Sequence, residues 1–161
     1  MPDAPGLRPT PDRARETLFN WLQPVIPGAC CLDLFAGTGA LGFEALSRGA
    51  AHVHFVDNNA VLADAIQALA QTLASDATVL TSTAGDWLQM NTDRFDVIFL
   101  DPPFGQDLIA GIISLIGERH CLKPGGLVYI ESERGIVLPP GLEIKKQKTA
   151  GDVQFGLYEL I

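Results

Sequence analysis

The chain has 161 residues, 47% hydrophobic and 19% charged, which is the composition of a globular protein and not of a disordered one. Its formal net charge of -8 argues against a broad nucleic-acid footprint, and no apolar run approaches the ~20 residues of a membrane span. Cys30, Cys31 and Cys121 form neither a disulfide framework nor a metal-ligand spacing, so buried reduced thiols are expected. Residues 1–20 carry arginines but no continuous apolar segment, unlike a secretory leader, and a cytoplasmic chain is expected. The length suits one domain spanning 1–161, with 1–27 as an N-terminal extended segment and helix.

Met1 to Pro9 is proline-rich and reads as extended. Thr10-Pro11 reads as a helix cap and first helical residue, followed by an apolar face of Ala14, Leu18, Trp21 and Leu22. Pro24 and Pro27-Gly28 stop that helix. Strands and helices then alternate: a strand at Cys30–Phe35, a helix at Ala40–Arg48 closed by Gly49, and a strand at His52–Val56. A helix over Asn59–Ala74 is expected to bury Leu62, Ile66, Leu69 and Leu73. Thr78–Thr81 is a strand, Asp86–Gln89 a weak helical turn, and Phe95–Leu100 a buried strand. Leu108, Ile112, Leu115 and Ile116 mark another helix, Lys123-Pro124-Gly125-Gly126 a turn, and Leu127–Glu131 a strand. Strands near Glu143–Thr149 and Val153–Leu160 form a hairpin around Gly151-Asp152. This order implies an α/β fold: a doubly wound, mostly parallel sheet with an antiparallel C-terminal edge.

Two segments carry chemistry. Asp33-Leu34-Phe35-Ala36-Gly37-Thr38-Gly39-Ala40-Leu41-Gly42 bridges the first strand of the sheet and the helix after it, and residues 37–42 satisfy G-x-G-x-x-G. Asp57, beside Asn58, falls 20 residues after Gly37, where an acid would hold ribose hydroxyls. Alone, the motif fits a dinucleotide or another adenosine ligand. Asp33 sits close to where a pyrophosphate would lie, which disfavours a diphosphate and favours the cationic S-adenosylmethionine. Asp86 either accepts from an adenine amino group, with Trp87 or another apolar side chain against the ring, or caps its helix. Asp101-Pro102-Pro103-Phe104 follows a buried strand, at the edge where open α/β sheets place ligands. Two prolines remove two N–H donors and leave a stiff edge of carbonyl and carboxylate beside an aromatic ring. That edge suits an exocyclic amino group attacking an electrophile. His52 and His54 share a strand face, but no third ligand completes a metal site, so no metal is expected. The basic residues gather near the two ends of the chain, including Arg8, Arg13 and Arg15 at the start and Lys145, Lys146 and Lys148 near the close. The lysines read first as solvated guards of an edge strand.

With these residues in view, the chain resembles the S-adenosylmethionine-dependent amino-methyltransferases, through Asp33-Leu34-Phe35-Ala36-Gly37-Thr38-Gly39 and Asp101-Pro102-Pro103-Phe104. Gly6-Leu7-Arg8-Pro9-Thr10, Asp12-Arg13, Arg15 to Leu22, Gly39 to Gly42, Glu44 to Gly49 and Glu131-Ser132-Glu133 narrow the resemblance to bacterial small-subunit ribosomal RNA guanine-N2 methyltransferases. The resemblance implies a Rossmann-like class I methyltransferase fold. It also implies S-adenosylmethionine held by Asp33, Phe35, Ala36, Gly37, Thr38, Gly39, Asp57, Asn58, Asp86 and Trp87, and catalysis at Asp101, Pro102, Pro103 and Phe104. Ribosomal RNA is the implied partner; an acidic chain with few lysines would bind bare RNA weakly, so an assembled small-subunit particle is the expected substrate, with a monomeric enzyme and Arg8, Arg13 and Arg15 as candidate RNA contacts. Family members usually carry a basic strand pair ahead of this opening segment, whereas five residues precede Gly6, so either the chain is truncated or RNA docking uses other surfaces. Residues 101–104 equally suit adenine-N6 or protein glutamine methylation. A dinucleotide oxidoreductase and a non-catalytic module with a relic pocket are the readings outside this class.

Overall fold

The computed structural model describes residues 12–103 and 108–161. Thr10, Pro11, Arg8 and Phe104 lie outside them. Helix α1 (Asp12–Leu22) precedes β1 (Cys30–Asp33), α2 (Ala40–Ser47), β2 (His52–Asp57), α3 (Ala60–Thr72), β3 (Ala77–Thr81), α4 (Ala84–Met90) and β4 (Phe95–Leu100). Then come α5 (Ile109–Glu118), β5 (Leu122–Glu133), β6 (Leu142–Ala150) and β7 (Val153–Leu160). The strands form one seven-stranded sheet in the order β3-β2-β1-β4-β5-β7-β6. The first five are parallel, and β7 pairs antiparallel with both β5 and β6.

Strand alternation sends side chains to two separate cores. Val53, Phe55, Val97, Phe99 and Phe155 pack on one face with Ala14, Leu18, Phe19 and Leu22 of α1, Leu41 and Ala45 of α2, and Ile66 of α3. Leu32, Ile98, Leu100, Val128 and Tyr158 pack on the other with Leu88 of α4 and Ile109, Ile112, Ile113 and Ile116 of α5. This is the doubly wound, mostly parallel sheet with an antiparallel edge that the alternating pattern predicts.

The differences are local. The first strand stops at Asp33 because the chain turns there: Ala36 donates to the Val56 carbonyl and Gly39 to that of Ala36. In α3 the buried stripe is Leu62, Ala63, Ile66 and Ala70, while Leu69 and Leu73 are 41% and 56% exposed. Alanines bring the helix close to the sheet and turn those two leucines outward. In α1, Phe19 is fully buried 5.9 Å from Phe99, and the expected core residue Trp21 is half-buried over Phe155. The Lys123–Gly126 turn lies inside β5, as a register shift opposite Phe95 and Val97. The helical turn near Asp86 is a seven-residue helix, α4, capped by Thr83, whose side chain accepts from the Asp86 N–H.

Candidate active site

Strand order reverses at the β1–β4 pair, and the crevice outside the carboxyl ends there is where such sheets hold ligands. Three acids stand at that edge: Asp33 closes β1, Asp57 closes β2, and Asp101 follows the last residue of β4. Two of them shape the glycine loop. Asp57 accepts from the Gly37 N–H at 2.8 Å through one carboxylate oxygen and from the Asn59 N–H at 2.8 Å through the other. Asn59 then caps α3, accepting from Val61 and Leu62. Asp33 accepts from the Gly42 N–H in the first turn of α2 at 3.0 Å. Gly39 has φ of +83° at the cap of α2, a left-handed conformation that a Cβ resists. Gly42 allows α2 to touch β2: a Cβ there would stand 2.2 Å from the Phe55 ring.

Asp33 is 1% exposed. Burial is the main cause holding its carboxyl well above the ordinary range; the Gly42 N–H opposes the rise, and Asp101 and Asp57 add to it. This weakens the expected reason for excluding a diphosphate, because the carboxyl is buried against the Gly42 N–H and is not presented bare to a ligand. The hydrogen bonds supply a better one. A pyrophosphate needs bare N–H groups, and here the Gly37, Gly39 and Gly42 N–H groups are taken by Asp57, the Ala36 carbonyl and Asp33.

Phe35 and Thr38 are half-buried and Ala36 is buried along the same loop, with Asn58 exposed beside Asp57. Asp86 is exposed in the first turn of α4, just past β3. Trp87 is half-buried in α4. Its indole packs at ring distances of 6.1 Å from His54 and 6.0 Å from Phe95, the first residue of β4, because α4 has turned back along the sheet. Asp101 is half-buried, Pro102 buried and Pro103 half-buried. Arg13 is exposed, whereas Arg15 pairs with Asp12 at 3.0 Å, and so is less available to a phosphate. The rings of His52 and His54 are 4.8 Å apart, but His52 bonds Asp76 and Thr78.

Two features escaped the sequence reading. Asn59 belongs to the site's frame, and its position two residues past a strand-end acid, opening a helix, was the available signal. Glu131, 0% exposed near the end of β5, accepts from the Tyr129 hydroxyl at 2.7 Å. An acid breaking an apolar strand was the cue there.

The family described as "Conserved hypothetical protein 95" matches residues 1–159. The chain belongs to this family. It is 45% identical to ribosomal RNA small subunit methyltransferase D of Haemophilus influenzae, over 96% of this chain and 83% of that protein. It is 44% identical to the protein of the same name from Escherichia coli K12, over 99% and 82%. A solved Escherichia coli methyltransferase structure superposes with a TM-score of 0.88 at 42% identity, covering 98% of this chain and 90% of that one. The fold is therefore that of the class I methyltransferases, and the edge formed by Asp33, Asp57 and Asp101 lies at its switch point.

Proposed function

We propose that the chain, acting over 1–161 as one cytoplasmic, monomeric domain, transfers a methyl group from S-adenosylmethionine to the exocyclic N2 of a guanine in small-subunit ribosomal RNA. The observation that carries this reading is the loop whose N–H groups are held by Asp57 and Asp33, one strand away from Asp101-Pro102-Pro103. Such a loop suits adenosine and a sulfonium better than a diphosphate. The relatives' names, together with the resemblance of residues 6–22, support the ribosomal RNA substrate.

The residues fit the donor. Asp57 keeps acceptor capacity for ribose hydroxyls, because each of its carboxylate oxygens takes one N–H and can accept a second. Asp86 is open to an adenine amino group. Bound there, S-adenosylmethionine supplies an electrophilic methyl on a sulfonium that leaves with the C–S electron pair on sulfur. Asp101 and the Pro102 carbonyl accept from the guanine amino hydrogens. Holding both hydrogens toward acceptors frees a lone pair otherwise delocalised into the ring. Phe104 stacks on the base, which is extruded from its helix because N2 is out of reach within the stack. Positioning and charge stabilisation supply most of the acceleration. The proton shed by the methylated nitrogen passes to Asp101 or to water.

The test is transfer of radiolabelled methyl to unmodified small subunits, free ribosomal RNA, DNA and protein in parallel, followed by nucleoside analysis. Label in N2-methylguanosine, highest on the assembled subunit, is expected. Label on adenine or on protein would replace this reading with another amino-methyltransferase.

A further inference from the structure

The antiparallel hairpin separates charge along its length. Opposite residues of an antiparallel pair share a face. Lys148 is opposite Phe155 and Lys146 is opposite Leu157, and both β7 residues belong to the core on the α1 face. Both lysines therefore lie on that face. Trp21 covers Phe155 at 5.6 Å, and beyond it on β6 Lys146 and Lys148 are exposed. Neither has an ion pair among the described residues.

Lys145 differs. It sits at the register shift between Ile144 and Lys146 and pairs with Glu143 at 3.0 Å and Glu159 at 3.7 Å. The acids on the hairpin's two strands are thus gathered at the end far from the candidate edge and matched by one lysine, and Asp152 in the turn is the hairpin's other acid. Toward the other end, Ala150 pairs with Val153, which in turn pairs with Glu133 at the end of β5. Arg134 follows, exposed, its guanidinium donating to the Gly151 carbonyl at 3.3 Å and its N–H to the Asp152 carbonyl at 2.8 Å. That contact holds an arginine at the hairpin tip, on the side of the sheet where β4 and β5 end.

We infer that Arg134, Lys148 and Lys146 form a phosphate track that carries the RNA backbone away from the catalytic edge and along β6. The inference rests on the reading of the chain as an RNA methyltransferase. Charge complementarity supports it: in a chain of net charge -8, two exposed lysines on one face of β6 and an exposed arginine at the hairpin tip, none in an ion pair among the described residues, are the feature that a polyanion selects. Phosphate contacts position a nucleic acid without reading its sequence, so the track supplies register and the pocket supplies base choice. It also gives the edge lysines a purpose beyond guarding an open strand.

The test uses the full chain and fluorescently labelled small-subunit ribosomal RNA, with binding read by anisotropy across a salt series. Lys146→Gln/Lys148→Gln is expected to weaken binding about ten-fold and to lower the slope of log K against log salt by roughly 1.5–2, as loss of two phosphate contacts requires. Adding Arg134→Gln should lower it by about one more. Lys145→Gln should bind as wild type. In methyl transfer, the double variant should raise KM for RNA with kcat and S-adenosylmethionine affinity unchanged. Wild-type affinity and slope in the double variant would overturn the track, as would an equal loss in Lys145→Gln, which would reduce the effect to total charge. The exposed lysines are not needed for folding, and matching thermal unfolding of all variants checks this. If the wild type methylates no RNA, the functional reading fails, and the binding series still judges the track by itself.

Discussion

The candidate catalytic edge and the C-terminal hairpin are built by opposite means. At the edge, acids are drawn together and bonded to main-chain donors, buried Asp33 to Gly42 and half-buried Asp57 to Gly37 and Asn59. In the hairpin, charges are spread along an exposed strand, with Lys145 matched by Glu143 and Glu159 and its neighbours left to solvent. The first arrangement fixes its carboxylates through main-chain hydrogen bonds. The second creates a field that tolerates motion. A donor pocket needs the former and a flexible polymer the latter.

Four experiments would break or sharpen that contrast. The largest effect is expected at the edge. Asp101→Ala should slow methyl transfer by about 100-fold or more while S-adenosylmethionine affinity changes little, since it removes the proposed acceptor of the reacting amine. Turnover close to wild type, measured with saturating donor, would remove Asp101 from the reaction.

Next comes a matched pair of glycines. Gly42→Ala places a Cβ 2.2 Å from the Phe55 ring, and Gly156→Ala places one 2.5 Å from the Lys146 carbonyl oxygen. Each should lower stability by about 1–3 kcal/mol in urea unfolding. Only Gly42→Ala should also weaken donor binding, because the clash with Phe55 pushes α2 away and carries its residue-42 N–H off Asp33. Calorimetry showing equal donor affinity in both would mean that the loop and the hairpin are not independent.

Asp33→Asn tests the buried acid. Unfolded, this carboxyl titrates near 3.8; folded, burial holds it well above that. Between those values the folded chain keeps a proton that the unfolded chain has released, so this group makes stability fall as pH rises through the window. The asparagine variant should show a flatter stability profile above about pH 4. An unchanged slope in urea titrations at successive pH values would show that Asp33 ionises freely.

The smallest effect concerns the core beneath both regions. Burial pushes the Cys31 thiol up to about 12 and also raises Cys121, while Cys30 is half-buried. A thiol reagent at about pH 8 should label at most Cys30 in the folded protein and every cysteine after unfolding. Fast labelling of Cys31 would mean that β1 opens.

Much of the edge was legible in the sequence because its signals are local. A strand, a glycine loop and an acid at the next strand's end lie within a short stretch, and Asp33, Gly37, Gly39 and Asp57 meet as that pattern implies. The roles within it were less legible. Asp33 read as an exposed anion because burial depends on α2 closing over β1, and that closure depends on Gly42 fitting against Phe55, a residue from a later strand. The packing of Trp87 against His54 and Phe95 was not legible from its place beside Asp86, because one residue along a helix is a rotation of about 100°. Leu69 and Leu73 matched the helical period as well as Ala70 did, and only the close approach of α3 to the sheet selected the alanine. The hairpin's turn was legible at Gly151-Asp152, but the segregation of its charges was not, because it follows from cross-strand register and a one-residue shift at Lys145.

The glycine loop has a further consequence. Since Asp57 and Asp33 already occupy its donors, it requires no guest to hold its shape, and entry of the donor should demand little ordering of the chain. The Gly37 and Gly42 amides should then exchange slowly with deuterated solvent even in the ligand-free protein, marking a receptacle that is set before anything arrives.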